Sequence, residues 1–204
     1  MDLFAPDPSI NLLPCDGIVL YHGCLMSAAM ADQYLHQLLQ TLQWRHDEAV
    51  IYGRHIVTAR KVAWYGDEGY AYTYSGTTKQ ALPWTAELLA LKSLAEARTG
   101  AAYNSCLANL YHTGDEGMAW HSDDEKALGK DSSIASLSFG AERKFSFKHK
   151  RLDETTSLVL EHGSLLEMKG TTQTHWLHRL PSTKKIKTPR VNLTFRTIAE
   201  NYEL

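Results

Sequence analysis

The sequence predicts an α+β protein in which two helices in the N-terminal half precede a β-sandwich or jelly-roll core. Two helix-like segments come before Gly100, and six or more short strand-like segments follow it. An amphipathic helix needs another layer to cover its apolar side, and many short strands separated by turn residues are typical of sandwiches and jelly rolls. The 204 residues contain no repeat and no long linker, so we expect one domain over residues 1–204.

Residues 1–100 are expected to form an N-terminal extension that contains both helices. Residues 1–16 hold three of the six prolines, which favours an extended lead-in. The first helix is predicted from Ser27, a good N-cap, and the second from Pro83 to a stop at Gly100. Each has apolar residues at helical spacing that can cover a sheet: Met30, Tyr34, Leu38 and Leu42, then Leu88, Leu91 and Leu94.

Residues 101–204 are expected to form the β core. Their strand-like segments are rich in β-branched and aromatic residues, and many alternate in polarity. The segments are residues 104–112, 133–140, 143–150, 157–168, 174–180 and 190–196. Alternation places side chains of opposite polarity on the two faces of a strand, so one face of each can be buried.

Composition and charge exclude several classes of protein. Hydrophobic residues make up 44% and charged residues 22%, as in a folded rather than a disordered chain. The net charge of −2 cannot attract nucleic acid in bulk, so such a contact needs a local basic patch. Three widely spaced cysteines, no signal-peptide pattern and no long apolar run predict a cytoplasmic protein, or a nuclear one in a eukaryote, with no membrane segment.

His121 and Asp123 are the first candidates for a metal site. They lie two residues apart in "GMAWHSDDEKAL", residues 117–128, so at a strand end both can project to one face. A second histidine would complete a two-histidine, one-carboxylate face that leaves positions open on iron(II). His175 and His178 are the best-placed candidates, because a later strand can return beside that of His121. The alternative is a solvated charged turn, since an isolated H-x-D pattern is common.

The segment "TPRVNLTFR" near the end of the chain predicts a pocket for carboxylates. Arg190, Asn192 and Arg196 lie at even spacings and therefore share one face of a strand. Buried guanidinium groups need anions, and their planar forks suit carboxylates, so the simplest ligand is a small dicarboxylate. Asn109 and Tyr111, again two residues apart, can complete the same pocket. The alternative is a surface strand whose polar face meets water.

Taken in order, these residues resemble the AlkB family of iron(II)- and 2-oxoglutarate-dependent dioxygenases, most of all the branch that repairs alkylated bases in DNA. The resemblance extends from about Ile51 to Ile198 and is strongest in "HSDDE", "IASLSFG", "HGSLLEM", "THWLHRLP" and "PRVNLTFR". It implies a double-stranded β-helix, a form of jelly roll, for the C-terminal part. It also implies helices packed on the sheet and a nucleotide-recognition lid in the N-terminal extension.

The same resemblance implies Fe(II) and 2-oxoglutarate as cofactors and O2 as cosubstrate. Iron is implied on His121, Asp123 and His178, the last chosen over His175 by its spacing to Arg190. The keto end of 2-oxoglutarate is implied at Arg196 and Asn109, and its distal carboxylate at Arg190, Tyr111 and Asn192. The implied reaction is oxidative demethylation of N-alkylated bases in DNA, such as 1-methyladenine and 3-methylcytosine, with release of formaldehyde and succinate.

The nucleotide-recognition lid is where the resemblance implies base recognition. "YGDEGYAYTYSG", residues 65–76, resembles the segment that walls the base pocket in DNA-repair members. An extruded base must be held between flat groups. The implied contacts are Tyr74 and His121 on its two faces, Tyr72 at the rim and Ser75 at the nucleotide backbone. Without the family, the same tyrosines favour a half-buried strand.

A hairpin before the lid is a candidate for inserting a side chain into duplex DNA. "VIYGRHIVTARK", residues 50–61, resembles the hairpin of duplex-acting members. Tyr52 would be the base-flipping wedge that fills the gap left by the extruded base. An ordinary turn with an exposed tyrosine is the alternative.

Three charged residues are expected to act near the base. Glu125 lies four residues after His121, where the family has an acid beside the modified base, and its carboxylate would favour a cationic methylated base. Arg60 would contact the lesion or the acids of the pocket. Asp124 would orient Arg60 or carry a surface charge.

Two basic runs, residues 143–151 and 184–190, are expected to contact the phosphate backbone. The residues are Lys148, Lys150, Arg151, Lys184 and Lys185. Basic residues on strand edges also prevent aggregation, which is the alternative. Only residues 152–155 separate the first run from the next strand, whereas duplex-specialised animal members have a longer basic loop there. The short loop argues against a strong duplex preference.

The expected partner is alkylated DNA, single- or double-stranded, and the expected state is a monomer. One alternative is an RNA demethylase, and another is a repair enzyme confined to single strands. A third is a non-catalytic jelly-roll module that binds nucleic acid or a carboxylated ligand. The complete ligand and arginine set favours an enzyme over a binding module, because a binder has no need for an open iron face.

Overall fold

A computed structural model describes residues 7–51, 54–67, 71–74 and 77–199. The elements before Gly100 are β1 (Ile18–Cys24), α1 (Ala28–Thr41), β2 (Arg45–Ile51), β3 (Arg54–Gly66), β4 (Ala71–Tyr74), β5 (Thr77–Gln80) and α2 (Ala86–Thr99). Those after it are β6 (Ser105–Tyr111), β7 (Met118–His121), β8 (Ile134–Gly140), β9 (Arg143–His149), β10 (Thr155–Leu160), β11 (Ser164–Lys169), α3 (Thr172–His175), β12 (Trp176–Leu180) and β13 (Arg190–Arg196). A 3₁₀ turn covers Lys126–Leu128.

Eleven of the strands form two antiparallel sheets that face each other, and β4 and β5 form a separate two-stranded sheet. The larger sheet has seven strands in the order β1-β11-β8-β13-β6-β3-β2, and the smaller has four in the order β10-β9-β12-β7. Buried apolar residues from both sheets, among them Ile134 and Met168 on one side and Phe147 and Trp176 on the other, pack together between them. This arrangement confirms the predicted jelly-roll core.

The two long helices pack on the other face of the larger sheet. A second apolar cluster joins Leu38 of α1 and Leu88 of α2 to Leu137 of β8 and Leu193 of β13. Successive residues of a strand point to opposite faces, so β8 and β11 contribute apolar residues to both clusters, whereas β6 and β13 contribute to the helix-side cluster and carry polar residues on the other face. Burial on both faces explains why its central strands contain few charged residues.

The first helix begins at the predicted N-cap. The Ser27 hydroxyl accepts a hydrogen bond from the Met30 backbone N–H at 3.3 Å. Leu38 is fully buried, but Met30 is 49% exposed, so the predicted apolar stripe is wrong at its start. Steps of four residues turn by about 400°, so each step drifts about 40° around the helix. Ala31 takes the buried position that the stripe assigned to Met30.

The second helix ends where the sequence predicts but begins later. Thr85 is its N-cap, so Pro83 lies before the helix rather than in its first turn. Gly100 adopts the left-handed conformation that ends many helices, with φ 70°. Leu88 and Leu91 are buried, but the third buried position is Ala95 instead of Leu94.

The N-terminal half contains more strand than the sequence analysis predicted. β1 precedes α1, and β2 to β5 lie between the two long helices. β1 pairs with β11 and is interrupted by a bulge between Tyr21 and Gly23, which breaks its alternation. Among the described residues, no helix has the length and apolar character needed to cross a membrane.

Arg143 is a buried cation that ties two loops to the smaller sheet. It is 1% exposed, and its guanidinium donates hydrogen bonds to the backbone carbonyls of Thr113, Gly114, Glu116 and Pro181. Burial lowers the pKa of the guanidinium. These bonds hold the segment before β7 against the segment after β12, the two strands that carry the histidines described below.

Arg143→Met is expected to lower the free energy of unfolding by about 3 kcal/mol, because buried carbonyls that lose their donor cost about 1–3 kcal/mol each. Urea unfolding followed by circular dichroism measures the change. Lys144→Met is the control, since Lys144 is exposed on the same strand. Equal stability of the two variants would show that the carbonyls find other partners.

Candidate functional site

His121, Asp123 and His178 are brought together at the open edge of the smaller sheet. β7 pairs with β12 so that His121 lies directly opposite His178, and their ring centroids are 4.2 Å apart. Asp123 follows the end of β7, and its Oδ1 is 3.9 Å from the His121 Nε2. One ligand atom from each residue lies within 4.8 Å of the other two. His175, the other candidate from the sequence, is not in this group.

The protonation states of the three side chains suit a divalent cation. The Nδ1 of His121 is 2.8 Å from the carbonyl oxygen of Ala119, which can only accept, so Nδ1 carries the proton and Nε2 keeps its lone pair. Burial lowers the pKa of His178 to about 3, which keeps its imidazole neutral. Burial raises the pKa of Asp123, but the charge and hydrogen bonds of the nearby Arg196 outweigh this and lower it to about 2.

Asp123 is held in place from two sides. Arg196 donates to its Oδ2 from Nη2 at 2.6 Å and from Nε at 3.2 Å. The backbone N–H of Asp123 donates to the Gln173 side-chain oxygen at 2.9 Å. Oδ1 therefore remains available on the side of His121. Two imidazoles and one oriented carboxylate form a donor set that leaves positions open on a bound iron.

A second polar site lies on the face of the larger sheet that looks toward the smaller one. β13 pairs with β6 so that Arg190 is opposite Tyr111 and Asn192 is opposite Asn109. Residues directly opposite in an antiparallel pair share a face, so the predicted pocket residues do lie together. Arg196 is on the same face of β13 and bonds to Asp123, which links this pocket to the histidine pair.

Arg190 has the burial and the incomplete hydrogen bonding of an arginine that binds an anionic ligand. It is 3% exposed and donates to the hydroxyl of Ser138 at 3.0 Å and to the side-chain oxygen of Asn192 at 2.8 Å. Its Nε is buried and has no hydrogen-bond partner among the described residues. Burial lowers its pKa to about 10, and its guanidinium carbon lies 5.6 Å from the centre of the Tyr111 ring. A buried fork with one free N–H and no carboxylate beside it fits a carboxylate ligand.

The two asparagines bind other protein groups rather than pointing freely into the pocket. The side-chain oxygen of Asn192 accepts from Arg190 and from Ser136 at 2.9 Å, so Asn192 positions the arginine. The side-chain oxygen of Asn109 accepts from Arg60 Nη1 at 3.0 Å, and its NH₂ group donates to the backbone carbonyl of Leu107 at 3.5 Å, which leaves its second N–H for an acceptor. Ser136 and Ser138 were not predicted as site residues, although their alternation with Leu137 and Phe139 in β8 indicates a polar face.

Arg60 and Asp124 do not act on each other. Arg60 is 9% exposed and bonds to Asp47 as well as to Asn109. Asp124 is exposed and pairs with Lys150 at 3.6 Å. The expectation that Asp124 orients Arg60 is therefore wrong, and the alternative of a surface charge is correct.

Of the other residues predicted to contact the substrate, some lie within the described part of the chain and some outside it. Glu125 is exposed just after the histidine–aspartate pair. Burial acts to lower the pKa of Arg196, but the charges of Asp123 and, to a smaller extent, Glu125 raise it. Tyr72 and Tyr74 belong to β4, which forms a two-stranded sheet with β5. Tyr52 and Ser75 lie outside the described residues.

The predicted phosphate contacts fall in three places. Lys148 is exposed on β9, while Lys150 and Arg151 follow the end of that strand. Lys150 donates to the backbone carbonyl of Gln173 at 2.8 Å. Lys184 and Lys185 are exposed in the loop between β12 and β13.

Cys15, Asp16 and His149 form another group whose ligand atoms lie within 4.8 Å of one another. The Nδ1 of His149 accepts from the backbone N–H groups of Arg151 at 3.2 Å and Leu152 at 2.8 Å. A neutral His149 therefore carries its proton on Nε2, the atom that faces Cys15 and Asp16. This tautomer cannot donate a lone pair to a metal there.

Comparison with known proteins agrees with the geometry. The model of the 2OG-Fe(II) oxygenase superfamily matches residues 17–196. The mouse DNA oxidative demethylase ALKBH2 is 38% identical over 97% of this chain and 86% of its own length. The human alpha-ketoglutarate-dependent dioxygenase alkB homolog 3 is 40% identical over 89% of this chain and 66% of its own length.

The solved structure of OsALKBH1 has the same fold. It superposes with a TM-score of 0.58 at 15% identity and covers 91% of this chain and 98% of its own. The superfamily takes its name from its 2-oxoglutarate and iron(II), and the histidine–aspartate group and the unpaired Arg190 fit both. The chain therefore belongs to the AlkB family of the 2OG-Fe(II) oxygenase superfamily, whose members use Fe(II), 2-oxoglutarate and O2.

Proposed function

We propose that this protein is a dioxygenase that removes alkyl groups from the ring nitrogens of bases in DNA and so repairs them directly. The observation that carries the proposal is one continuous polar site between the two sheets. His121, Asp123 and His178 lie at one end of it, and the buried Arg190, whose Nε has no partner among the described residues, lies on β13 of the facing sheet. The names of relatives that are 38–40% identical over most of the chain support DNA as the substrate.

His121, Asp123 and His178 are proposed to hold the iron, and Arg190 with Tyr111 the distal carboxylate of 2-oxoglutarate. The second N–H of the Asn109 side-chain amide suits the opposite end of the same ligand. Arg196 and Gln173 keep the Asp123 carboxylate in one orientation, and Asn192 does the same for Arg190. When bound, iron and 2-oxoglutarate supply the oxidation by O2 that hydroxylates the carbon attached to the base nitrogen.

The chain's own part in the reaction is to position the substrate and to keep water out. His121 has the most exposed of the three ligand side chains, at 35%, so the base is proposed to approach from its side. Glu125 is proposed to face the base there, because its carboxylate would favour a base that carries positive charge. The hydroxylated alkyl group then leaves as formaldehyde without further help from the protein.

Formaldehyde release from oligonucleotides with 1-methyladenine or 3-methylcytosine tests this function. We expect release that requires O2, Fe(II) and 2-oxoglutarate together, with one succinate formed for each formaldehyde. Matched unmethylated oligonucleotides are the control. If no methylated substrate yields formaldehyde, the proposed activity is wrong.

The choice of nucleic acid is tested with the same assay on methylated single-stranded DNA, duplex DNA and RNA. We propose single-stranded DNA as the preferred substrate, since the connection between β9 and β10 is short and offers few cations to a complementary strand. Equal or faster turnover of RNA would favour the RNA demethylase instead. We also propose that the protein acts as a monomer in the cytoplasm, or in the nucleus of a eukaryote.

A non-catalytic binding module is the alternative from another class. Anaerobic addition of Fe(II) and 2-oxoglutarate distinguishes the two, because an open iron site that chelates 2-oxoglutarate gives a metal-to-ligand absorption band. A band without formaldehyde release would indicate a cofactor-binding protein with a different substrate.

A further inference from the structure

The smaller sheet has a second face, opposite the one that carries the paired histidines. Side chains alternate along a strand, so Arg179, the neighbour of His178, projects to this other side. The pairing of β7 with β12 shifts register between Met118 and His121, and Trp120 lies on the same side as Arg179 because its ring stacks with that guanidinium. Lys144, Ser146 and Lys148 of β9 and Leu177 of β12 project there as well, since Arg179 lies opposite Ser146 and Leu177 opposite Lys148. We call these six positions the outer face.

The outer face is positively charged. Its cations are Lys144, Lys148 and Arg179, and its other positions are neutral. The neighbouring strand β10 adds threonine, serine and valine on the same side. Lys144 and Lys148 are exposed, and neither forms an ion pair with another described residue. Three cations without an acid among them complement phosphate groups, although the protein as a whole is slightly acidic.

Trp120 and Arg179 form a planar pair on this face. The guanidinium carbon of Arg179 lies 4.4 Å from the centre of the Trp120 ring, and both side chains are partly exposed. The side chain of Arg179 has no hydrogen bond or ion pair within the described part of the chain, and its buried Nε is unpaired. Stacked arginine and tryptophan side chains are the groups on which unpaired bases stack, while the free N–H groups of arginine suit a phosphate.

The outer face is next to the mouth of the histidine site. β7 is the edge strand of the smaller sheet, so only this strand separates the two faces at that end. His121 is partly exposed on one side of β7, and Trp120 lies on the other. A nucleic-acid strand that presents a base to His121 can therefore cross the edge and continue over the outer face.

We propose that the outer face binds a single-stranded segment that flanks the nucleotide being demethylated, with phosphates at Lys144, Lys148 and Arg179 and a base stacked on the Trp120–Arg179 pair. This inference rests on the proposed function, because it extends the path of the same substrate. It assigns roles to Trp120, Lys144 and Arg179, and it makes substrate length a determinant of affinity.

Arg179→Ala and a double variant with Lys144→Ala and Lys148→Ala test the surface with two substrates. One is a methylated pentanucleotide, which is too short to cross the edge, and the other is an oligonucleotide of about 25 nucleotides with the same lesion. Each variant is expected to raise KM for the long substrate about fivefold or more and to leave kcat unchanged. KM for the pentanucleotide is expected to stay at the wild-type value.

Binding of a fluorescent, unmethylated long oligonucleotide gives a readout that needs no catalysis. Removing one phosphate-binding cation is expected to make the slope of log K against log salt shallower by about 0.7. Arg98→Ala is the matched control, since it removes an exposed cation from α2, on the far side of the larger sheet. It should change neither the affinity nor the salt slope.

Two results would overturn the inference. If Arg179→Ala binds the long oligonucleotide as the wild type does, the outer face is not a nucleic-acid surface. If it impairs the pentanucleotide as much as the long substrate, Arg179 acts through His178 rather than on the flanking strand. Failure of the wild type to release formaldehyde would instead contradict the proposed function. The binding measurement would still test whether the outer face binds nucleic acid.

Discussion

Replacing His178 with alanine is expected to abolish formaldehyde release and to weaken Fe(II) binding by at least about a hundredfold. The substitution leaves only His121 and Asp123 to bind the ion, and His121 is partly exposed to competing water. Anaerobic titration with Fe(II) in the presence of 2-oxoglutarate, followed by the metal-to-ligand band, measures the affinity. The thermal midpoint of the variant shows whether the fold is retained.

His175→Ala is the matched control for this experiment. His175 ends α3, three residues before His178, and its ring stacks on His149 with centroids 6.1 Å apart. It lies outside the ligand group, so its loss should leave iron binding and turnover near the wild-type level. Undiminished formaldehyde release from His178→Ala would remove His178 from the metal site.

The sequence was most informative where a strand has one polar and one apolar face. β13 alternates polar residues with Val191, Leu193 and Phe195, and this alternation alone predicted which side chains share a pocket. β1 could not be found in the same way. It begins with an uninterrupted apolar run, and its bulge shifts the register between Tyr21 and Gly23.

Contacts between residues far apart in the chain could not be predicted from the pattern and spacing of residue types. Arg196 was expected at the keto end of 2-oxoglutarate, but in the structure it bonds to Asp123, 73 residues earlier. Gln173 carries no signal in the sequence, yet α3 places its side chain against the backbone of Asp123. Spacing gives the face of a residue within its strand, whereas its partner depends on which strands become neighbours.

The charged run after β7 shows the same limit. The alternation of His121 and Asp123 correctly grouped two residues of "HSDDE", because it follows from strand geometry. The partner of Asp124 depended on where β9 ends, since that end brings Lys150 to it. The guanidinium of Arg60 bonds instead to Asp47 and Asn109, which lie on the two neighbouring strands.

Arg190→Met is expected to raise KM for 2-oxoglutarate about a hundredfold, since a buried charged pair that loses one partner costs about 3 kcal/mol or more. Methionine fills a similar volume but offers no N–H to a carboxylate. Initial rates at increasing 2-oxoglutarate, with methylated oligonucleotide in excess, measure KM. Arg151→Met is the control, because Arg151 is an exposed arginine outside the pocket.

The same substitution is expected to leave the free energy of unfolding of the ligand-free protein unchanged or higher. Arg190 is a buried cation without a carboxylate partner among the described residues, and its Nε lacks a hydrogen bond. Replacing such a charge with a well-packed apolar side chain removes a desolvation penalty. Arg143→Met should lower the free energy of unfolding, because the Arg143 guanidinium donates to four backbone carbonyls of the protein itself.

Added 2-oxoglutarate is expected to change the free energy of unfolding of the two arginine variants differently. At a concentration of about 100 Kd, a ligand stabilises the state that binds it by about 2.7 kcal/mol, and this gain should appear in the wild type and in Arg143→Met. Arg190→Met should gain only about 0.4 kcal/mol, because a ligand bound a hundredfold more weakly is then present only at its own Kd. If 2-oxoglutarate stabilised Arg190→Met as much as the wild type, Arg190 would not be the carboxylate site, and its missing partner would need another explanation.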